Sequence, residues 1–314
     1  MIAIIGCGLW GMNIVRTLSE MKILSAICDA DSARCAQVSQ KFHVPILTFS
    51  EILTNQHIKG VVLSVPACKH VEMASAVLNA GKHVWIEKPM ALTLNDAQHV
   101  FALAQEKNLQ ILVGHVVRYH GAFEKMLLLI HSGEIGNILY IDCVRQNWGR
   151  VCPEEKDVLW SLAVHDISLV LALMLQSFPV KVMRYVQSCV QGGDQGMLLL
   201  KFETGVQARI TSSWCYPIKE QRCVVTGIKG SVVFDDTRPD GEELYIVKHD
   251  ISKTRPFLSS QEIVAIAYDY RKQPLTRQCE AFINAISSGV SVPTCGLEAL
   301  SGIKILSSAE EIIL

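Results

Sequence analysis

The sequence predicts an α/β chain in two parts: a doubly wound parallel-sheet domain over residues 1–120, and over 121–314 an α+β domain with a large, mostly antiparallel open sheet. Three observations predict it. Strand and helix signals alternate through the first 120 residues, the pattern of a parallel sheet with helices on both faces. Three glycines stand between the first strand and the first helix. Beyond Tyr119 helices become few and long alternating strands take over, and a length of 314 residues suits two domains.

The first strand covers residues 2–5, Gly6-Cys7-Gly8-Leu9-Trp10-Gly11 make the turn, and a helix runs to about Met21. A strand over 23–28 ends at Asp29, and a helix over 32–42 follows. After Pro45 a short strand, 46–49, leads to Ser50, a candidate N-cap for a helical stretch to about Asn55. Val61-Val62-Leu63-Ser64-Val65 is a β-branched run suited to a strand buried on both faces. Next come a helix over 70–80, a strand over 83–87 with Lys88-Pro89 at its end, a helix over 94–107 and a strand over 110–114. In the second part, strands are expected at 138–148, 180–190, 196–203, 206–215, 222–227, 231–235 and 243–248, with helices at 275–288 and 296–310 closing the chain.

Half of the residues are hydrophobic, 19% are charged and the mean hydropathy is +0.28, which excludes disorder and predicts a chain that hides surface against a partner. Twenty-nine basic against thirty acidic residues, with no block of like charge, disfavour a nucleic-acid partner. The eleven cysteines show no C-x-x-C pair and no zinc spacing, so they read as reduced thiols of a cytoplasmic protein, with no metal and no disulfide. The apolar residues 2–5 have no basic segment before them and run into glycines, unlike a secretory signal. The most apolar stretch, 159–175, carries Ser161, His165, Asp166 and Ser168, which a lipid-facing helix would bury at high cost. It reads as a core helix, and no membrane partner is expected.

In Gly6-x-Gly8-x-x-Gly11 the first glycine suits a tight turn, the second the approach of backbone to a pyrophosphate, and the third close packing of helix on strand. Placed between a strand and a helix, the loop makes the first domain a Rossmann dinucleotide-binding unit, with Gly6, Gly8, Leu9, Trp10 and Gly11 around the phosphates. Asp29 lies 18 residues after Gly11 at the end of the second strand, where a carboxylate can accept from an adenosine ribose diol. That favours NAD over NADP, whose extra phosphate it would repel. Asp29 is also placed to serve as a turn or N-cap residue of Asp29-Ala30-Asp31-Ser32.

Glu87-Lys88-Pro89 ends the strand over 83–87, at the carboxyl edge where ligands of open α/β sheets collect. A lone lysine there is as well explained by solvation, but it has company. Ser64-Val65-Pro66 with His70, the stretch Gly81-Lys82-His83-Val84-Trp85-Ile86-Glu87-Lys88-Pro89, and Gly114-His115-Val116-Val117-Arg118-Tyr119 together resemble the Gfo/Idh/MocA oxidoreductase family. Gly133-Glu134-Ile135-Gly136 and the segment from Cys279 to Thr294 extend the resemblance over nearly the whole chain.

The resemblance implies an NAD(P)-dependent dehydrogenase acting on CH-OH groups of sugars, polyols or nucleotide sugars, working as a homodimer or homotetramer. It implies cofactor contacts from Ser64, Pro66, His70, Glu87 and Lys88, catalysis by Lys88 and His165, and substrate contacts from Lys88, Arg118, Arg145, Asn147, Ser161 and His165. From the residues alone, Ser161, His165 and Ser168 lie at i−4, i and i+3, one polar stripe on an apolar helix that suits a cleft, although a core histidine bonded to a neighbour fits as well. Histidine's near-neutral pKa suits proton exchange with an alcohol. Arg145-Gln146-Asn147-Trp148-Gly149-Arg150 with His165-Asp166 resembles the branch containing UDP-N-acetylglucosamine and UDP-N-acetylglucosaminuronate 3-dehydrogenases. Arg145 and Asn147 on a strand there suit an anion or sugar hydroxyl, or an exposed sheet face. One departure stands out: the family pattern has a carboxylate four residues before the histidine and often three after, and this chain has Ser161 and Ser168. It motivates an alternative, a catalytically reduced NAD-binding sensor or scaffold.

Overall fold

The computed structural model describes residues 1–149, 156–190, 192–249, 262–308 and 310–311. Arg150 lies outside them. In the first part, strands β1 (Ile2–Ile5), β2 (Leu24–Cys28), β3 (Gly60–Leu63), β4 (His83–Glu87) and β5 (Ile111–Gly114) alternate with helices α1 (Leu9–Glu20), α2 (Ser32–Phe42), α3 (Phe49–Thr54), α4 (His70–Asn79) and α5 (Leu94–Glu106). The five strands are parallel, in the order β2-β1-β3-β4-β5. Every residue of β1, β3 and β5 is buried, as expected of a sheet covered on both faces.

The strand expected at 46–49 shrinks to one bridge, Ile27 with Ile46. Pro45 has no N–H to continue a ladder, and α3 starts at once. Its N-cap is Thr48, not Ser50: Thr48 Oγ1 accepts from the Glu51 amide at 3.2 Å while the Glu51 carboxylate accepts from the Thr48 amide at 2.7 Å. Counting the bridge as a vestigial strand beside β2 restores the six-strand order of a doubly wound dinucleotide fold.

The second part opens with a helix missed in the sequence, α6 (Gly121–His131), then β6 (Ile138–Trp148), a π-helical turn over Leu159–Ala163 and α7 (Val164–Leu173). Seven strands follow: β7 (Lys181–Gln187), β8 (Gln195–Lys201), β9 (Gln207–Ser213), β10 (Cys215–Gly227), β11 (Gly230–Asp235), β12 (Leu244–Lys248) and β13 (Glu262–Ala265). With β6 and β14 (Glu310–Glu311) they form a nine-stranded sheet, β13-β12-β11-β10-β6-β9-β8-β7-β14, antiparallel except for β6 with β9 and β14 with β7. Strand β10 starts earlier than expected because it absorbs Pro217 in a register irregularity between Cys215 and Glu220.

Two helices end the chain, α8 (Pro274–Ser288) and α9 (Gly296–Ser308). Residues 275–303 belong to the same compact unit as residues 1–116, whereas 117–274 and 304–314 form the other. This grouping differs from the single cut expected near residue 120 in where it puts 275–303. The cause is burial: Cys279, Phe282 and Ala285 make an apolar stripe on an otherwise polar helix. Phe282 meets the Trp85 ring edge-on at 5.9 Å, and the Gln278 amide donates to the Val113 carbonyl. Cys295 then bridges Leu112 of β5. Among the described residues no helix is long and apolar enough to cross a membrane.

Candidate active site

The first unit's site is built at the carboxyl ends of its strands. Gly6, at φ +93°, passes so close to the chain after β3 that a Cβ there would lie 2.1 Å from the Ser64 carbonyl oxygen. A Cβ on Gly11 would lie 2.1 Å from the Gly6 carbonyl oxygen, so both glycines are needed for α1 to seat against the strands. Gly8 is different. No heavy atom lies within 4 Å of its Cβ position, so the space in front of it is open. Gly8 is also the N-cap of α1 and gives no side-chain acceptor to the first-turn amides, and that turn has no acidic residue. Open space before uncapped amides at a helix N-terminus fits a phosphate group. A cleft of about 560 Å³ continues from there past Asp29, Ser64 and Pro66.

Asp29 closes one end. Its carboxylate accepts from the Cys7 amide at 2.6 Å and the Asp31 amide at 2.9 Å, and Arg34 lies 3.2 Å from both oxygens. Burial acts to raise this carboxyl, but the two amides and the guanidinium outweigh it and hold it below its ordinary value. The N-cap of α2 is the neighbouring Asp31, which accepts from the Arg34 amide. Arg34 was missed in the sequence. Its signal was spacing, five residues after Asp29 in the first turns of a helix pointing back at the strand end. Lys69, paired with Glu72 at 3.4 Å, also lines the cleft and was missed.

At the end of β4, Lys88 is half-buried and joined to Pro89 by a cis peptide. Glu87 is buried, accepts from the Trp85 indole at 3.1 Å, and is pushed up to about 7 by burial, against the pull of Trp10 and Lys88. The contact expected from His70 is corrected. Its ring is 1% exposed and its two nitrogens face the Pro89 carbonyl at 2.7 Å and the Val65 carbonyl at 2.9 Å, so it joins the loops after β3 and β4 from behind. Leu9 and Trp10 lie at the open end of the loop, exposed by 89% and 39%.

In the second unit the helix bearing His165 starts at Asp157, whose carboxylate accepts from the Leu159 and Trp160 amides and pairs with Arg184 at 2.8 Å. The first turn is π-helical, so Ser161 is not stacked one α-turn below His165 as the sequence spacing suggested. Ser161 and Ser168 are buried, and His165 is the half-buried member of the three. The continuous polar stripe expected to face a cleft is therefore corrected to a single partly exposed imidazole.

Arg145 is corrected too. It is buried, and its Nε and Nη2 donate to the two carboxylate oxygens of Asp166 at 3.0 Å each, a bidentate pair that balances its charge within the fold. Asp166, read in the sequence only as one of the polar residues of the 159–175 stretch and as part of the His165-Asp166 resemblance, is the partner that sequence reasoning missed. Arg118 is buried with its guanidinium 5.3 Å from the Phe123 ring centre. Asn147, two residues along β6 from Arg145, is half-buried.

Two family models match this chain: an oxidoreductase family with an NAD-binding Rossmann fold over residues 1–115, and the GFO/IDH/MocA C-terminal domain over residues 123–233. The chain belongs to the Gfo/Idh/MocA oxidoreductase family. Inositol 2-dehydrogenase from Salmonella typhimurium is 26% identical over 244 residues, 72% of this chain and 71% of that protein. UDP-N-acetylglucosamine 3-dehydrogenase from Acidithiobacillus ferrooxidans is 24% identical over 211 residues, 67% of this chain and 66% of that one. A solved structure of that enzyme matches with a TM-score of 0.85 at 22% identity, covering 97% of this chain and 95% of the other. GenD2 from gentamicin A biosynthesis, solved in complex with NAD, matches with a TM-score of 0.83 at 20% identity over 98% of this chain and 92% of its own. At such identities the two structures show the fold.

For this Gfo/Idh/MocA protein the Arg145–Asp166 pair makes a direct prediction. Asp166→Ala leaves a guanidinium buried without its counter-charge, and a loss of about 3–5 kcal/mol in urea unfolding is expected. A loss under about 1 kcal/mol would show that the pair is not buried in solution.

Proposed function

We propose that this chain is an NAD-dependent dehydrogenase that moves hydride between the nicotinamide and a secondary hydroxyl of a sugar, polyol or nucleotide sugar. The observation that carries it is the cleft in front of Gly8, which opens before uncapped helix amides and ends at Asp29. The names of the two relatives, acting on an inositol and on a UDP-sugar, support the substrate class. When bound, the nicotinamide supplies the hydride acceptor or donor. Lys88, at the strand end, would steady negative charge on the reacting oxygen, and the imidazole of His165 would hold the hydroxyl proton. Asn147 adds an amide for a substrate hydroxyl. Ser161 and Ser168, being buried, shape the surroundings of His165 instead.

Charge supports NAD over NADP. Around the ribose end Asp29 and Asp31 flank the one guanidinium of Arg34, and Lys69 is paired with Glu72. Arg34 is thus already neutralised, and a further phosphate would meet an excess of carboxylate. The large sheet carries exposed Tyr140, Trp148, Ile218 and Ile263, which supports assembly with further copies of the chain.

Purified protein with NAD is expected to form reduced nicotinamide with at least one member of a panel of UDP-sugars, inositols and hexoses. Lys88→Ala and His165→Ala should each lower kcat/KM by about 100-fold or more. No turnover by any panel member would favour an NAD-binding sensor or scaffold. NADH should bind at least about tenfold more tightly than NADPH, a difference of about 1.4 kcal/mol, and equal affinities in calorimetry would overturn the role of Asp29. Light scattering should find a dimer or tetramer; a monomer at micromolar concentration would refute the assembly.

A further inference from the structure

We propose that Glu87 is a positioning residue whose carboxyl ties the glycine loop, through Trp10, to the strand end that carries Lys88. The inference rests on the dinucleotide reading of the cleft and changes what Glu87 and Trp10 do there, from cofactor contacts to a joint between two parts of the site.

The carboxyl occupies a place made for it. Glu87 on β4 stands in register with Gly114 on β5, and a Cβ on Gly114 would lie 2.4 Å from a Glu87 carboxylate oxygen. The glycine leaves the room that the carboxyl fills. A carboxylate only accepts, an indole N–H only donates, and here two indoles and one amide converge on a single acid. Trp85 donates from two residues away on the same strand, the Lys88 backbone amide donates from the next residue, and Trp10 donates from the first turn of α1.

Trp10 is the informative partner. It stands between Gly8 and Gly11, among the amides that would face a pyrophosphate, and burial does not explain its position, because 39% of its surface is exposed. Its bond to Glu87 links α1's first turn to β4 across two intervening strands of chain order. A shift of the loop is thereby passed to the peptide of Lys88. The titratable groups that act with Glu87 are Lys88 on its own strand and buried Cys279 on α8, while the glycine loop presents Trp10 and β5 presents Gly114, neither of them charged. Burial pushes the Glu87 carboxyl up to about 7, so the joint changes charge near neutral pH and gives an optical handle, since both its indoles sense that change.

The test uses the full chain with Trp10→Phe, Glu87→Gln and the double variant. Each single change should weaken NADH binding by about fivefold or more, and the double variant should bind no worse than the weaker single, because both remove the same joint. Independent, multiplying losses, or a Trp10→Phe change of less than twofold, would overturn the proposal. Without cofactor, tryptophan emission should show a pH transition with a midpoint near 7 in the natural chain, lost in Glu87→Gln and reduced in Trp10→Phe. No such difference would also overturn it. Should the natural chain bind no NADH, the dinucleotide reading fails, and the emission transition still decides whether the joint exists. Should Glu87→Gln fail to fold, the half-exposed Trp10→Phe change carries both readouts.

Discussion

The approach of Gly6 to the Ser64 carbonyl, 2.1 Å from where a Cβ would stand, is the constraint from which the rest of the first unit follows. It lets β1 and β3 run side by side up to their ends and still leaves the chain room to turn into α1. Gly11 repeats the device one helical turn later against Gly6 itself. With both contacts closed by backbone alone, the helix N-terminus comes to rest with no side chain over it, and Gly8 keeps the space in front empty. The open space before the helix amides thus comes from what the sequence omits at three positions, with the aligned peptide dipoles behind it.

The same logic explains which parts could be read in advance. Glycine spacing, strand periodicity and the lysine after β4 are local patterns, and each was legible because the chain positions that matter are close together. His70, Arg145 and Asp166 were not. A histidine following a strand and an arginine facing a helix look like ligands for something external, because a sequence does not display the distant carbonyl or carboxylate that occupies them. The partner of Arg145 is 21 residues away, and the carbonyls around His70 are 5 and 19 residues away in opposite directions. The π-helical turn before His165 was hidden for a related reason. The spacing of serines around it has meaning only if every turn has 3.6 residues, and Asp157, by fixing the Leu159 and Trp160 amides, starts the helix where one turn does not. For α8 the apolar stripe was visible, but the surface that buries it lies on strands at the opposite end of the sequence.

The low charge content also takes on a physical meaning. In the second unit two ion pairs, Arg145 with Asp166 and Arg184 with Asp157, lie on or beside the helix that bears His165. Such pairs add little net stability compared with apolar side chains of the same volume, but they tolerate little displacement, because moving either partner leaves a charge uncompensated. They fix the rotation of a helix whose remaining surface is mostly apolar. The imidazole precedes Asp166 by one position in that fixed frame, so its direction is set by the pair.

Two carboxylates at the same sheet edge are driven in opposite directions, and the reason is the balance of burial against the donors each receives. Asp29 sits at a partly open corner with two backbone amides and a guanidinium, and its carboxyl is held below the ordinary value of 3.8. Glu87 is enclosed, with two indoles and one amide, and burial wins, raising it from 4.5 to about 7. The consequences for stability have opposite signs. Asp29 contributes stabilisation that is present above its unfolded-state pKa and fades as pH falls through its lowered folded value. Glu87 contributes stabilisation that is complete below its unfolded-state pKa, near 4.5, and is lost as pH rises toward 7. From slightly acid to neutral pH the first unit therefore keeps Asp29 ionised beside Arg34 while the charge on Glu87 is still undecided. One acid holds a fixed charge beside Arg34, and the other stays responsive at the strand end that carries Lys88.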